Sequence, residues 1–96
     1  MTIGDLLKAK RQDILRISAR HGARNVRVFG SAARGEAGPE SDVDFLVRLD
    51  PGTTLLSHAA LVRELEALLG CRVDVVSERG LRARIRDRIL QEAAPV

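Results

Sequence analysis

Ninety-six residues limit the chain to one domain, taken as residues 1–96, with a single small core. A content of 30% charged and 45% hydrophobic residues excludes disorder, and apolar runs of only a few residues exclude a membrane span or signal-peptide core. Sixteen basic against thirteen acidic side chains leave a charge of +3, and fourteen of the sixteen are Arg, whose forked guanidinium fits phosphate-bearing or acidic partners.

The predicted elements alternate between helix and strand. A first helix spans about Thr2 to Arg20, opened by a Thr2/Asp5 capping pair and carrying Ile3, Leu6, Leu7, Ile14 and Ile17 mostly on one face. Gly22 lies just past its end. Val26–Phe29 is a short strand that stops at Gly30-Ser31. The connector from Ala32 to Ser41 has room for one or two helical turns, then a turn at Gly38-Pro39-Glu40-Ser41. Asp42–Leu49 is a second strand whose Phe45-Leu46-Val47 centre is buried on both faces. A helix from about Thr53 to Leu69 follows, with Leu55, Ala59, Val62, Leu65 and Leu69 as its core stripe and Gly70 as its stop. Cys71–Val76 is a third strand, Ser77–Gly80 a loop, and Leu81–Glu92 a last helix with Leu81, Ile85 and Ile89 repeating every four residues. The tail from Ala93 to Val96 is expected to fray. The fold class is α/β (α+β), a small sheet of three or more strands flanked by helices.

What the chain lacks is also informative. One cysteine, Cys71, leaves no internal disulfide and no zinc pattern, and fits a reducing cytoplasm. Phe29 and Phe45 are the only aromatic residues, which argues against a surface that stacks nucleic-acid bases. With no tyrosine present, chemistry on a tyrosine hydroxyl needs another molecule.

Two acids interrupt the apolar second strand. Asp42 and Asp44, two apart, point to one side of it, where like charges resist joint ionisation and a divalent cation offsets the cost. Asp74, between Val73 and Val75, is placed likewise in the third strand. Three acids on neighbouring strands can hold one or two ions, which clamp the attacking and leaving oxygens of a phosphoryl or nucleotidyl transfer. Gly30-Ser31 supplies an anion cradle: glycine lets the backbone approach a phosphate closely, and the serine hydroxyl can donate to it. Arg34 reaches the same phosphates or stays a solvated turn residue. No Walker loop occurs. His21 and His58 read as structural, Cys71 as buried and inert, and Glu36 and Glu40 as solvated.

Gly30-Ser31, ten residues, then Asp42-x-Asp44 resembles the signature of the DNA polymerase β-like nucleotidyltransferase superfamily. The segment from Phe29 to Val47 is similar to its minimal nucleotidyltransferase (MNT) branch, and the likeness extends over nearly the whole chain. The pattern of predicted elements gives the order α-β-(α)-β-α-β-α, written in full as α-β-α-β-α-β-α, and the resemblance implies a polymerase β-like nucleotidyltransferase core. It implies that Gly30 and Ser31, with Arg34, bind the triphosphate of ATP, that Asp42, Asp44 and Asp74 hold Mg²⁺, expected as two ions, and that Asp74 also activates the acceptor hydroxyl. It further implies an antitoxin that transfers AMP to a tyrosine of a helical HEPN-type toxin. Two other readings stand beside it: an antitoxin that neutralises its partner by binding alone, and a nucleic-acid-binding scaffold, whose affinity would fall steeply with salt.

Overall fold

The computed structural model describes residues 2–38 and 40–96. Its elements in chain order are α1 (Ile3–Ala9), α2 (Arg11–Arg20), β1 (Ala23–Phe29), β2 (Val43–Leu49), α3 (Leu55–Leu69), β3 (Val73–Ser77), a 3₁₀ turn (Glu78–Gly80), α4 (Ala83–Glu92) and β4 (Ala94–Pro95). The strands form one mixed sheet in the order β3-β2-β1-β4. β1 runs antiparallel to β2 and to β4, whereas β2 and β3 run parallel through the α3 crossover.

Alternation along the strands separates two faces. Val43, Phe45 and Val47 of β2, Val28 of β1 and Val73 and Val75 of β3 are buried in one core with Ile14 of α2 and Leu61, Leu65 and Leu69 of α3. The opposite face of β2 carries Asp44, Leu46 and Arg48. Leu46 is nevertheless fully buried, so the apolar centre of β2 is covered on both sides as its sequence predicts.

Local chemistry sets the ends. Thr2 and Asp5 form a reciprocal capping box, which also holds the Asp5 carboxyl below its usual range through the Thr2 hydrogen bonds. Thr54 caps α3 by accepting the Ser57 amide at 3.1 Å, and Gly70 ends it in the left-handed conformation. Asn25, at φ 52°, sits in the bulge where the β1–β2 register shifts; Asn is among the few side chains that tolerate this region.

Several expectations are corrected. The first helix is two helices, because Lys10 departs from helical dihedrals at φ −102°, ψ 8°. After the bend Leu7, Lys8 and Arg11 line one cleft with Ala94, Pro95 and Val96, and Arg11 Nε donates to the Val96 carbonyl at 3.0 Å. The tail is ordered for the same reason: Ala94 pairs with Val28 and Pro95 with Arg27. β1 begins at Ala23, three residues before the expected start. The core stripe of α3 runs through Leu61, Leu65 and Leu69; Leu55 is exposed. In α4 no residue is buried, and Ile85 is exposed. The Ala32–Ser41 connector holds one turn after Gly30 and a second closed by Ser41 N donating to Gly38 O at 3.0 Å. Pro39, part of that expected second turn, lies outside the described residues. Cys71 is half-buried rather than buried, and burial with the nearby Glu66 and Asp42 charges pushes its thiol pKa up.

Candidate active site

The strand pattern delivers two of the three predicted acids, Asp44 and Asp74, to one face. Asp44 pairs in register with Asp74 across β2 and β3, and with Phe29 across β2 and β1. The two carboxylates therefore project side by side from strands about 4.8 Å apart. α3 fixes β3 on both sides of Asp74: Glu66 Oε2 accepts the Val73 amide at 3.2 Å, and His58 Nε2 donates to the Val75 carbonyl at 2.8 Å.

Gly30, immediately after β1, binds the two halves of the motif together. It has φ +69°, and a Cβ at this position would stand 2.7 Å from Asp44 Oδ2. Only glycine combines that backbone conformation with so close a carboxylate. The chain then turns, with Arg34 N donating to Gly30 O at 3.2 Å and Glu36 N to Ser31 O at 2.9 Å. Ser31 is half-buried at the start of this turn, on the rim that Asp44 occupies.

The electrostatics of Asp44 follow from that packing. Its carboxyl is raised above the usual range, first by burial and then by the charges of Asp74, Asp42 and Glu92. The site thus holds more negative charge than its own side chains neutralise, the condition a bound divalent cation relieves. Asp42 lies just before β2 and is exposed, with Oδ1 3.1 Å from Arg72 Nε. That ion pair is largely solvated, so it holds Asp42 weakly. Among the described residues no three acid, histidine or cysteine side chains stand close enough to enclose an ion as they are set. Asp44 and Asp74 form the adjacent pair, and Asp42 joins them only by leaving Arg72. The donor set, all carboxylate oxygen, fits Mg²⁺.

Arg34 lies in the turn, but its guanidinium is gripped by carboxylates: Glu36 Oε2 at 3.0 Å from Nε and Glu92 Oε1 at 2.7 Å from Nη1. These contacts raise its pKa further. Glu92 is the residue that sequence reasoning missed. Its one sequence signal is a glutamate in the last turn of a helix, where the macrodipole disfavours an anion. His21 pairs with Glu64 and Arg27 with Glu78, contacts that tie elements together away from the acids.

A mixed sheet that sets paired aspartates beside a glycine–serine turn defines a nucleotidyltransferase. The chain belongs to the Nucleotidyltransferase domain family, which matches residues 11–95. The protein adenylyltransferase MntA of Thermococcus cleftensis is 46% identical over 77 residues, 80% of this chain and 78% of that protein. A solved structure provisionally named a minimal nucleotidyltransferase superposes with a TM-score of 0.90 at 55% identity, covering 100% of this chain and 97% of that one. The fold alone is shared, with a TM-score of 0.69 and 18% identity over 97% of this chain and 71% of that chain, with a structure of the tri-AMPylated Shewanella oneidensis HEPN toxin in complex with MNT antitoxin.

Proposed function

We propose that residues 1–96 form one minimal nucleotidyltransferase domain that acts as a protein adenylyltransferase, moving AMP from ATP onto a tyrosine of a HEPN-type toxin and so neutralising it in the cytoplasm. The observation that carries this reading is the in-register Asp44–Asp74 pair, with Asp44 set close against Gly30 and held above its ordinary pKa. The adenylyltransferase relative at 46% identity and the fold shared with an antitoxin–toxin complex support the choice of acceptor.

In this reading Gly30 lets the backbone approach the triphosphate, and the Ser31 hydroxyl donates to a phosphate oxygen. Arg34 adds charge-assisted donors. Asp42, Asp44 and Asp74 hold Mg²⁺, which when bound supplies Lewis-acid neutralisation of the reacting phosphate. The acceptor oxygen attacks the α-phosphorus, the bond to the β-phosphate oxygen breaks, and pyrophosphate leaves. An oxygen of Asp74 takes the hydroxyl proton. The chain contains no tyrosine, so a tyrosine acceptor belongs to another molecule.

The test incubates the protein with labelled ATP, Mg²⁺ and the helical protein encoded beside it. Label should move to that protein and stay on ATP with the Asp42→Ala/Asp44→Ala variant; no transfer by the wild type refutes the reading. The alternative, neutralisation by binding alone, draws on the Asp42–Arg72 pairing, which leaves the three acids apart. It requires that alanine at all three acids leaves neutralisation intact.

A further inference from the structure

Glu92 has no part in the chemistry above, yet its position is costly and well defined. It ends α4, a helix with no buried residue and no basic side chain in its last turn to offset the anion. Packing of that helix does not hold it; the three residues after it do. Ala93 N donates to Ile89 O at 2.8 Å, and Ala94 pairs with Val28, two residues before Gly30. The chain thus delivers Glu92 to the flank of the glycine–serine turn, where Oε1 meets Arg34 Nη1 at 2.7 Å. Its side chain is 21% exposed, against 64% for Glu36, the other carboxylate on Arg34.

The geometry on Arg34 decides between holding and hiding it. A guanidinium has five N–H donors in a planar fork. Glu36 takes Nε and Glu92 takes Nη1, and among the described residues Nη2 has no acceptor. Glu92, the more buried of the two carboxylates, therefore does most to set the plane of the fork, and one terminal amino group is left for a ligand. We infer that Glu92 is a positioning residue of the nucleotide site, holding Arg34 so that Nη2 meets the phosphates beyond the α-phosphate. The inference rests on the nucleotidyl-transfer reading. In that reading Asp44 and Asp74 take the reacting phosphate, which leaves the outer phosphates to the turn that Gly30 opens and Arg34 closes.

The experiment is calorimetric titration of the protein with ATP and with AMP, in Mg²⁺, for wild type, Glu92→Ala, Glu92→Gln, Arg34→Ala and the Arg34→Ala/Glu92→Ala double variant. Glu92→Ala should weaken ATP about tenfold, the scale of one charge-assisted contact, and AMP less than about twofold. Glu92→Gln keeps an accepting oxygen and should weaken ATP about threefold or less. The double variant should bind ATP no more weakly than Arg34→Ala, because both changes remove one interaction. Equal losses for ATP and AMP, or additive losses in the double variant, overturn the inference and leave Glu92 a structural residue. Wild-type affinity in Glu92→Ala also overturns it. If the wild type binds neither nucleotide, the nucleotide site itself is refuted and the role of Glu92 falls with it. Melting curves without nucleotide show whether Glu92→Ala folds; if it does not, Glu92→Gln compared with Arg34→Ala decides the matter.

Discussion

Replacing Gly30 with alanine tests the packing that joins the two halves of the site. The backbone at φ +69° costs a non-glycine residue roughly 1–2 kcal/mol. The new Cβ would then stand 2.7 Å from Asp44 Oδ2, inside any real carbon–oxygen contact, so the carboxylate must retreat by roughly half an ångström or more. The backbone cost alone should lower the melting temperature by about 5–15 °C in a domain of this size. Displacing a reacting-site carboxylate by that much should cut transfer of label from ATP on the order of 100-fold. Thermal melts and a transfer assay read the two effects separately. In an Asp44→Ala background the steric part vanishes, and Gly30→Ala should then cost only the backbone component. Gly30→Ala with the melting temperature and activity of the wild type would refute the claim that this turn and Asp44 form one packed unit.

Other outcomes follow from the same packing. Because the folded pKa of Asp44 is raised, its contribution favours folding below its unfolded pKa and is lost as pH rises through the folded value. Asp44→Asn should accordingly gain stability relative to wild type as pH rises from about 4 through the folded value in metal-free buffer, read by denaturation at each pH; a difference that stays constant with pH would contradict the assigned cause. Asp42→Ala and Asp44→Ala should each lower transfer by orders of magnitude, with circular dichroism showing an intact fold. Thr54→Ala removes the α3 cap and should cost about 1 kcal/mol in urea denaturation. Deleting Ala93–Val96 removes β4 and the Arg11–Val96 contact, and should weaken ATP binding as well as stability.

The site is more legible in the sequence than the packing around it. Gly30, Asp44 and Asp74 stand out because their chemistry contradicts their setting, acids within apolar strands and a glycine at a strand end, whereas Asp42, expected in the second strand, lies before it and pairs with Arg72. Helix packing is harder to read. Leu55, Leu56, Leu61, Leu65, Leu68 and Leu69 offer α3 more than one apolar face, and the packing of α3 on the sheet and on α2 decides which is covered. The break at Lys10 and the order of the tail meet where Arg11, the first residue of α2, donates to the Val96 carbonyl and links the two ends of the sequence. Local patterns carry no record of such a contact, nor of Glu92 meeting Arg34 across 58 positions. The place of Arg34 in the turn is visible in the sequence, but its two carboxylate partners emerge only from the fold.

The side chains of α3 that hold β3 have a further consequence. The Arg72 carbonyl accepts the Val43 amide from β2, so alternation turns the Val73 and Val75 backbone groups outward from the sheet. Those are the groups met by Glu66 and His58. One margin of the sheet thus has two of its outward backbone groups taken by side chains, and the other is the two-residue β4, whose Pro95 has no N–H to offer. Strand addition, the usual route to edge-to-edge aggregation and to capture of extended peptides, is blunted on both sides. The faces and helices of the domain are correspondingly the more open surfaces for a protein that engages it.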